Sequence, residues 1–252
     1  MKKNREKILN IACPILSVAA ILLLWSAAAF AADSEYILPT VGQTLSAAFS
    51  LFKSGEFYAA AGRTFLRAVI AFVCSFFAAF ALAFFSYKKT TFRKIVAPFI
   101  KVIRALPTVA VVLLLLFWTS SEIAPVIVTM LVVLPALYTE LFNAFCGIDR
   151  ELIEMCSVFG VPKKVVLFSV EIPQILPSAL YSAGAGLSLN LKLMVAAEVI
   201  AQTAVSLGYL LNKSKVYFEI ADMLAIVAFA VITGAAIESA FGAIAKKAGK
   251  RL

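Results

Sequence analysis

The stretch Asp149–Leu180, DRELIEMCSVFGVPKKVVLFSVEIPQILPSAL, separates two long apolar runs and decides how the rest of the chain is interpreted. Its first part, Glu151–Phe159, has the periodicity of a short helix. The apolar residues of this helix share one face: Leu152, Met155 and Phe159. Gly160 stands where a left-handed residue ends a helix, and Pro162 suits the first position of a second helix that begins with two lysines. The stretch therefore predicts a helix, a sharp turn and a second helix.

Outward from this stretch, apolar runs dominate the sequence. Of the 252 residues, 63% are hydrophobic and 15% are charged, whereas soluble domains have about 45–50% apolar and about 25% charged residues. A helix of about 20 apolar residues crosses a bilayer, so the expected fold is all-α, a polytopic membrane bundle of about six transmembrane helices. The predicted spans are Ile11–Ala32, Phe65–Phe85, Ile95–Trp118, Ile123–Phe145, Ile175–Leu191 and Met223–Ile244.

Prolines and charges mark irregular positions within these spans. Pro107 and Pro135 lie where a helix would have to kink. Lys192 and Glu198 interrupt the apolar stretch that follows Ile175, and they either pair with each other or a neighbour, or line an outer gate. Three further basic residues lie near span ends, where snorkelling explains them: Arg67, Lys101 and Arg104.

The positions of the 23 lysines and arginines predict the orientation of the chain. Most of them lie at the two termini and in two loops: Lys2, Lys3, Arg5, Lys7, Lys88, Lys89, Arg93, Lys94, Arg150, Lys163, Lys164, Lys246, Lys247, Lys250 and Arg251. Because cytoplasmic loops are enriched in basic residues, both termini are expected in the cytoplasm. A cleaved signal peptide is the alternative for the first run, which ends in small residues but is longer than a typical signal-peptide apolar region.

The composition disfavours several classes of protein. Histidine is absent, and the four cysteines lack CxxC spacing, so neither a metal site nor a disulfide framework is supported. No phosphate-binding loop of the form GxxxxGK(S/T) occurs, so ATP hydrolysis would require a separate subunit. The chain also lacks the catalytic groups that an intramembrane enzyme would need. No cofactor is expected. A secondary transporter or a membrane scaffold remains an alternative, although no internal repeat supports a carrier.

The spacing within the quoted stretch resembles a known motif. Glu154 is followed after five residues by Gly160, and nine residues later by Val170-Glu171-Ile172-Pro173. This pattern is similar to the EAA loop of binding-protein-dependent ABC importer permeases, in which Glu-Ala-Ala, three residues, Gly, nine residues and Ile-x-Leu-Pro recur. Met155 and Cys156 replace the two alanines, which weakens the match at the docking surface.

The resemblance extends over nearly the whole chain. Five further segments are similar to the nitrate, sulfonate and taurine branch of these permeases: Tyr36–Thr40, Arg63–Arg67, Ala105–Ala110, Val195–Ile200 and Leu207–Leu211. The resemblance implies one permease domain over residues 1–252 in a bacterial plasma membrane. It also implies three partners: a second, identical permease subunit, a cytoplasmic ATPase dimer and an extracytoplasmic substrate-binding protein.

Two sets of candidate functional residues follow. The resemblance implies that the loop at about 149–173 couples the permease to the ATPase through Glu151, Glu154, Met155, Cys156, Gly160, Pro162 and Pro173. The second set recurs every four residues along the fifth span and forms a small polar stripe, with two charges beyond it: Ser178, Ser182, Gly186, Asn190, Lys192 and Glu198. The stripe either packs tightly against other helices or lines a translocation pathway.

The sequence leaves the transported solute open. The branch that the chain resembles handles small anions such as sulfonates, taurine and nitrate, and Lys192 would suit an anion. Close relatives of that branch are assigned to thiamine-precursor pyrimidines. A small anion is therefore the expected solute, and a pyrimidine or another small organic solute is the alternative.

Overall fold

A computed structural model describes residues 2–250 of the chain, and that part is helical. The helices are α1 Lys2–Ala32, α2 Val41–Leu51, α3 Gly55–Lys88, α4 Thr90–Ala105, α5 Thr108–Leu116, α6 Ala124–Cys146, α7 Arg150–Val158, α8 Lys163–Val166, α9 Ile172–Ala201, α10 Leu207–Val216 and α11 Ile220–Gly249. A π-helical turn, Leu167–Glu171, joins α8 to α9. Some of the basic residues used above lie outside the described part: Arg251, and the side chains of Lys2, Lys3, Arg5 and Lys7.

Four helical segments in the described part are long and apolar enough to cross a membrane: Gly55–Lys88, Ala124–Cys146, Lys163–Ala201 and Ile220–Gly249. The pair α4 and α5 qualifies as a fifth span only when both helices are taken together. In α1 the apolar segment Leu16–Ala32 is shorter than these spans. The helical membrane bundle is thus confirmed with four or five spans, and a sixth span at α1 stays a prediction.

The kink predicted at Pro107 within the span Ile95–Trp118 is confirmed, and it is a complete break between two helices. Helices α4 and α5 meet at an angle of 88°. The break falls at Leu106, whose ψ of 127° is extended, because a residue that precedes proline is sterically excluded from the helical region. Pro107 therefore ends a helix here, whereas Pro135 lies inside α6 without ending it.

The chain divides into two compact units. The first contains the described part of Met1–Tyr58 together with Leu210–Ala228. Within it, the Trp25 indole Nε1 donates to the Pro39 carbonyl at 3.0 Å. Thr40 begins α2 as a capping box, in which Gln43 N donates to Thr40 Oγ1 and Thr40 N donates to Gln43 Oε1. These bonds fix the direction of the chain between α1 and α2.

The second unit contains Ala59–Tyr209 and the described part of Phe229–Leu252. Its core lies where α6 packs against α9 and α3. Leu137, Leu141 and Phe145 of α6 are fully buried there, together with Leu187 of α9 and Phe72 of α3. Helix α9 is buried on most of its faces, as expected for a span that other helices surround.

The fifth predicted span is longer than expected. Helix α9 continues past Leu191 to Ala201, so Lys192 and Glu198 lie inside one helix. Gln202, in the left-handed region at a φ of 51°, ends it. The predicted span ended too early because two charged residues interrupt the apolar pattern after Leu191. One of them, Glu198, forms an ion pair with Arg67 inside the second unit, so the helix can continue past it.

Candidate functional site

The loop between α6 and α9 has the predicted form of a helix, a turn and a helix. Asp149 begins α7, and its Oδ1 accepts a hydrogen bond from Glu151 N at 2.9 Å. The helix ends in a Schellman motif, in which Val161 N donates to Cys156 O at 2.9 Å and Gly160 N to Ser157 O at 3.1 Å. Gly160 has a φ of 67°, which confirms the prediction of a left-handed residue at this turn.

Pro162 differs by one position from its predicted place. It precedes α8 rather than occupying its first turn, and its ψ of 137° is not helical. Its carbonyl accepts hydrogen bonds from Val165 N at 2.8 Å and Val166 N at 3.1 Å. Pro162 therefore still starts the second helix, by supplying the first acceptor.

Helix α7 presents an uncovered apolar face. Within the described chain none of its residues is buried. Met155 is half exposed, and Val158 and Phe159 are 83% and 77% exposed. The carboxylates of Glu151 and Glu154 are also on the surface. A short helix with large exposed apolar side chains and two acidic residues is suited to bind another protein.

An ion pair fastens the end of this loop to α3. Lys88 Nζ lies 2.6 Å from Glu171 Oε1 and 2.8 Å from Oε2. Glu171 is only 3% exposed, and Pro173 follows it in the first turn of α9. Sequence analysis missed this pair, although an acidic residue inside an apolar run and a lysine at the end of a span were the available signals.

Three of the four residues of the polar stripe are buried within one chain. Ser182, Gly186 and Asn190 are enclosed, whereas Ser178 is exposed. A Cβ at Gly186 would lie 2.6 Å from Leu137 Cδ2, and Asn190 Nδ2 donates to the Ala68 carbonyl at 3.2 Å. These contacts support the alternative that the stripe allows close approach between helices.

Glu198 is the centre of a buried polar cluster. Thr64 Oγ1 donates to its Oε2 at 2.8 Å, and Arg67 Nη1 donates to its Oε1 at 3.0 Å. Thr64 Oγ1 also accepts from Leu207 N at 2.9 Å, and Arg67 forms a second ion pair with Glu122. Glu198 therefore pairs with a neighbour and not with Lys192. The expectation that Arg67 snorkels is wrong, because its side chain is only 11% exposed and is held by two carboxylates.

Lys192 has a different environment on the same helix. It is exposed and, among the side chains that the structure describes, forms no ion pair. Gly234 of α11 leaves room beside it, since a Cβ there would lie 3.4 Å from Lys192 Cε and 2.9 Å from Ser188 Oγ. Of the two charges that interrupt the apolar stretch, only Lys192 keeps its charge uncompensated within the described chain.

Sequence analysis did not identify the partners of Glu198. Thr64 and Arg67 belong to a segment that was quoted for its resemblance, and Glu122 precedes a predicted span. In the sequence, each of these three residues is a polar residue next to an apolar run. Their convergence on one carboxylate follows from the packing of α3 against α9, and local spacing does not encode it.

Known proteins of similar sequence and structure were found. A probable ABC transporter permease protein of Brucella melitensis is 23% identical over 190 residues, which cover 75% of this chain and 77% of that protein. A crystal structure of an amino acid ABC transporter with histidines superposes with a TM-score of 0.65 at 16% identity, covering 76% of this chain and 94% of that one. The inward-facing MetNI methionine ABC transporter gives a TM-score of 0.64 at 16% identity, covering 74% of this chain and 93% of that one.

A family model matches over most of the chain. It describes the binding-protein-dependent transport system inner membrane component, and it matches residues 71–252. The match includes the α7–α8 loop and all of α9. The chain therefore belongs to this family of inner membrane components, and it is the permease subunit of an ABC importer, whose ATPase is a separate subunit.

Proposed function

We propose that this permease passes a small anion, such as a sulfonate, taurine or nitrate, which an extracytoplasmic binding protein delivers. The observation that carries the proposal is the exposed ammonium of Lys192 on α9, which forms no ion pair with any side chain that the structure describes. An uncompensated charge inside a membrane costs about 2.5–3.5 kcal/mol on insertion scales. A role in attracting an anionic solute would explain why a positive charge is kept at Lys192 despite this cost.

The different environments of Glu198 and Lys192 favour an anion over a cation as the solute. Glu198 is enclosed by Thr64 and Arg67, so its negative charge is compensated before any solute arrives. Lys192 lies six positions earlier in the same helix and presents its positive charge on the surface of the chain. An anion that approaches α9 therefore meets attraction from Lys192 and little repulsion from Glu198.

The α7–α8 loop is the proposed contact with a cytoplasmic ATPase dimer. The exposed residues Met155, Val158 and Phe159 supply an apolar surface, and Glu151 and Glu154 can bind basic groups at its edge. Gly160 sets the direction in which α8 leaves this surface. The ion pair between Glu171 and Lys88 connects the loop to α3, so a displacement of α7 would reach two spans.

A second copy of the chain completes the proposed pathway. One permease domain would pair with a second identical chain, with both termini in the cytoplasm as the distribution of basic residues predicts. Ser178, the exposed member of the stripe, and Lys192 would face the pathway. Ser182, Gly186 and Asn190 would support it from behind by holding α9 against α3 and α6.

Uptake by cells that express Lys192 variants tests the proposal. Lys192→Gln should lower the transport efficiency for the anion roughly tenfold, as expected for one unit charge acting across a partly hydrated path, while Lys192→Arg should keep most of it. Lys215→Gln, which removes an exposed lysine of α10, is the matched control.

Abundance of each variant in the membrane must be measured beside uptake. Normal abundance of Lys192→Gln with lost anion uptake supports the proposal. If Lys192→Gln transports as well as the parent protein, the charge has no role, and a neutral solute such as a thiamine-precursor pyrimidine becomes the better hypothesis.

A further inference from the structure

A cavity of about 740 Å³ lies between the α7–α8 loop and the end of α3. Its walls come from the turn after α7, from α8 with the π-helical turn, and from the last residues of α3. The cavity is open on one side. Its volume and its opening together allow a ligand of the size of a lipid headgroup to enter without any movement of the chain.

The polar side of this cavity is positive. Lys163 and Lys164 line it together with Lys88 and Glu171. Lys88 and Glu171 neutralise each other. Lys163 and Lys164 are exposed and, among the described side chains, form no ion pair. Two positive charges remain, so the complementary ligand is an anion.

The other side of the cavity is apolar. Phe84, Ile153, Val166 and Leu167 line it. On the neighbouring surface, Phe168 is 67% exposed and Phe85 is 50% exposed. A free inorganic anion would make no favourable contact with these apolar walls. A molecule with an anionic head and a hydrocarbon tail could contact both sides.

The position of the cavity along the spans agrees with such a molecule. Lys88 is the last residue of the span Gly55–Lys88, and Lys163 and Lys164 begin the apolar segment Lys163–Ala201. The lysines that line the cavity therefore lie at the ends of two spans. Phosphate groups of phospholipids lie at this level, and basic pockets between spans on the cytoplasmic side bind anionic headgroups.

We propose that this cavity binds the headgroup of an anionic phospholipid of the inner leaflet, with Lys163 and Lys164 on the phosphate and the apolar walls against the acyl chains. The inference rests on the proposed cytoplasmic position of the α7–α8 loop. The bound headgroup would fill the space behind α7 and α8 and brace the loop against α3. The loop is then ordered by lipid before an ATPase binds.

Lipid binding to the purified full-length chain tests this proposal without solute or ATPase, so its outcome is independent of the transported substrate. Native mass spectrometry in detergent would compare phosphatidylglycerol with phosphatidylcholine. Lys163→Gln/Lys164→Gln should weaken phosphatidylglycerol binding roughly thirtyfold, since both lysines are removed and each basic residue near an anionic lipid surface contributes about 1 kcal/mol. The matched control is Lys246→Gln/Lys247→Gln, an exposed lysine pair in the last turn of α11.

A second variant tests the cavity itself. Ser157→Trp places a bulky side chain on the wall of the cavity at an exposed position of α7 and leaves all four charged residues in place. It should also weaken phosphatidylglycerol binding. Selective loss with both variants and retention by the control support the site.

Three results would overturn the proposal: equal loss in both lysine pairs, which indicates diffuse surface charge; unchanged binding in Lys163→Gln/Lys164→Gln; and displacement of the lipid by millimolar inorganic phosphate, which indicates a free-anion site.

Discussion

The carboxylate of Glu198 accepts a hydrogen bond from the Arg67 guanidinium at 3.0 Å, although the two residues are 131 positions apart in the chain. Glu198 is fully buried, and Thr64 occupies its second oxygen. A buried carboxylate whose cationic partner is removed keeps its desolvation cost without compensation. Arg67 therefore supplies the charge that compensates a buried carboxylate where α3 packs against α9.

Removing that arginine should destabilise the permease. Arg67→Ala leaves Glu198 buried without its cation, and breaking such a pair costs about 3–5 kcal/mol. We expect a large fall in the amount of folded protein in the membrane and in its thermal stability in detergent. The double variant Arg67→Met/Glu198→Gln should recover part of this loss, because the carboxylate of Glu122, which also loses Arg67, is 45% exposed and no buried charge is left uncompensated.

The exposed ion pair between Lys213 and Glu56 provides the control for Arg67→Ala. Its atoms lie 2.9 Å apart, and both side chains are more than one third exposed. Glu56→Gln should change stability by less than about 1 kcal/mol, since solvent screens such pairs. Equal losses from Arg67→Ala and Glu56→Gln would contradict the importance of burial.

A bulky residue at Gly160 should separate transport from folding. A Cβ at this position would meet no atom within 4 Å, so Gly160→Val introduces no clash. The φ of 67° is nevertheless unfavourable for a β-branched residue. We expect normal membrane abundance with strongly reduced uptake, and partial recovery in Gly160→Asn, because asparagine tolerates left-handed conformations.

Gly62 offers a matched comparison for Gly160. It also has open space around its Cβ position, but it lies inside α3 with an ordinary helical φ. Gly62→Val should leave both uptake and abundance near those of the parent protein. If Gly160→Val transports normally, the turn is not part of the coupling between ATPase and permease.

Gly208 should tolerate no side chain for a different reason. A Cβ there would lie 2.5 Å from Glu198 Cβ and 2.6 Å from the backbone nitrogen of Val199. Backbone atoms cannot move aside without displacing α9. Gly208→Ala is expected to lower thermal stability and membrane abundance markedly, whereas Gly55→Ala, at an open position, should be neutral. Normal stability of Gly208→Ala would mean that the first turn of α10 shifts freely.

Chemical labelling of single cysteines tests the orientation of the chain. In a background without the four native cysteines, Lys53→Cys and Lys215→Cys should react with a membrane-impermeant maleimide in intact cells. Thr90→Cys and Ser169→Cys should react only after the membrane is opened. All four positions are in exposed or partly exposed segments, so a lack of reaction reports the side of the membrane. External labelling at Thr90 would reverse the predicted topology.

Features that depend on neighbouring residues could be predicted from the sequence. Helix α7, the left-handed Gly160 and the lysines that begin α8 follow from spacing within about fifteen residues. The apolar composition was enough to predict a helical membrane bundle. These properties arise from local backbone preferences and from hydrophobicity, both of which a single sequence contains.

Features that depend on distant contacts could not be predicted in the same way. Lys192 and Glu198 looked alike as charges in an apolar stretch, but Arg67 and Thr64 of α3 compensate only Glu198. The bend at Leu106 was visible as a proline, yet the 88° angle depends on where α4 and α5 pack. Tertiary packing decides these outcomes, and periodicity alone carries no information about it.

The π-helical turn Leu167–Glu171 determines how α8 and the turn before it are rotated about the axis of α9. A π turn contains one residue more than an α turn, so everything before it is rotated about the axis of α9 by roughly 100° relative to a continuous α-helix. The direction in which α8 and the preceding turn point is therefore set by a single inserted residue. Deleting one residue here would rotate the exposed surface of α7 and α8 around the helix axis while leaving its composition unchanged.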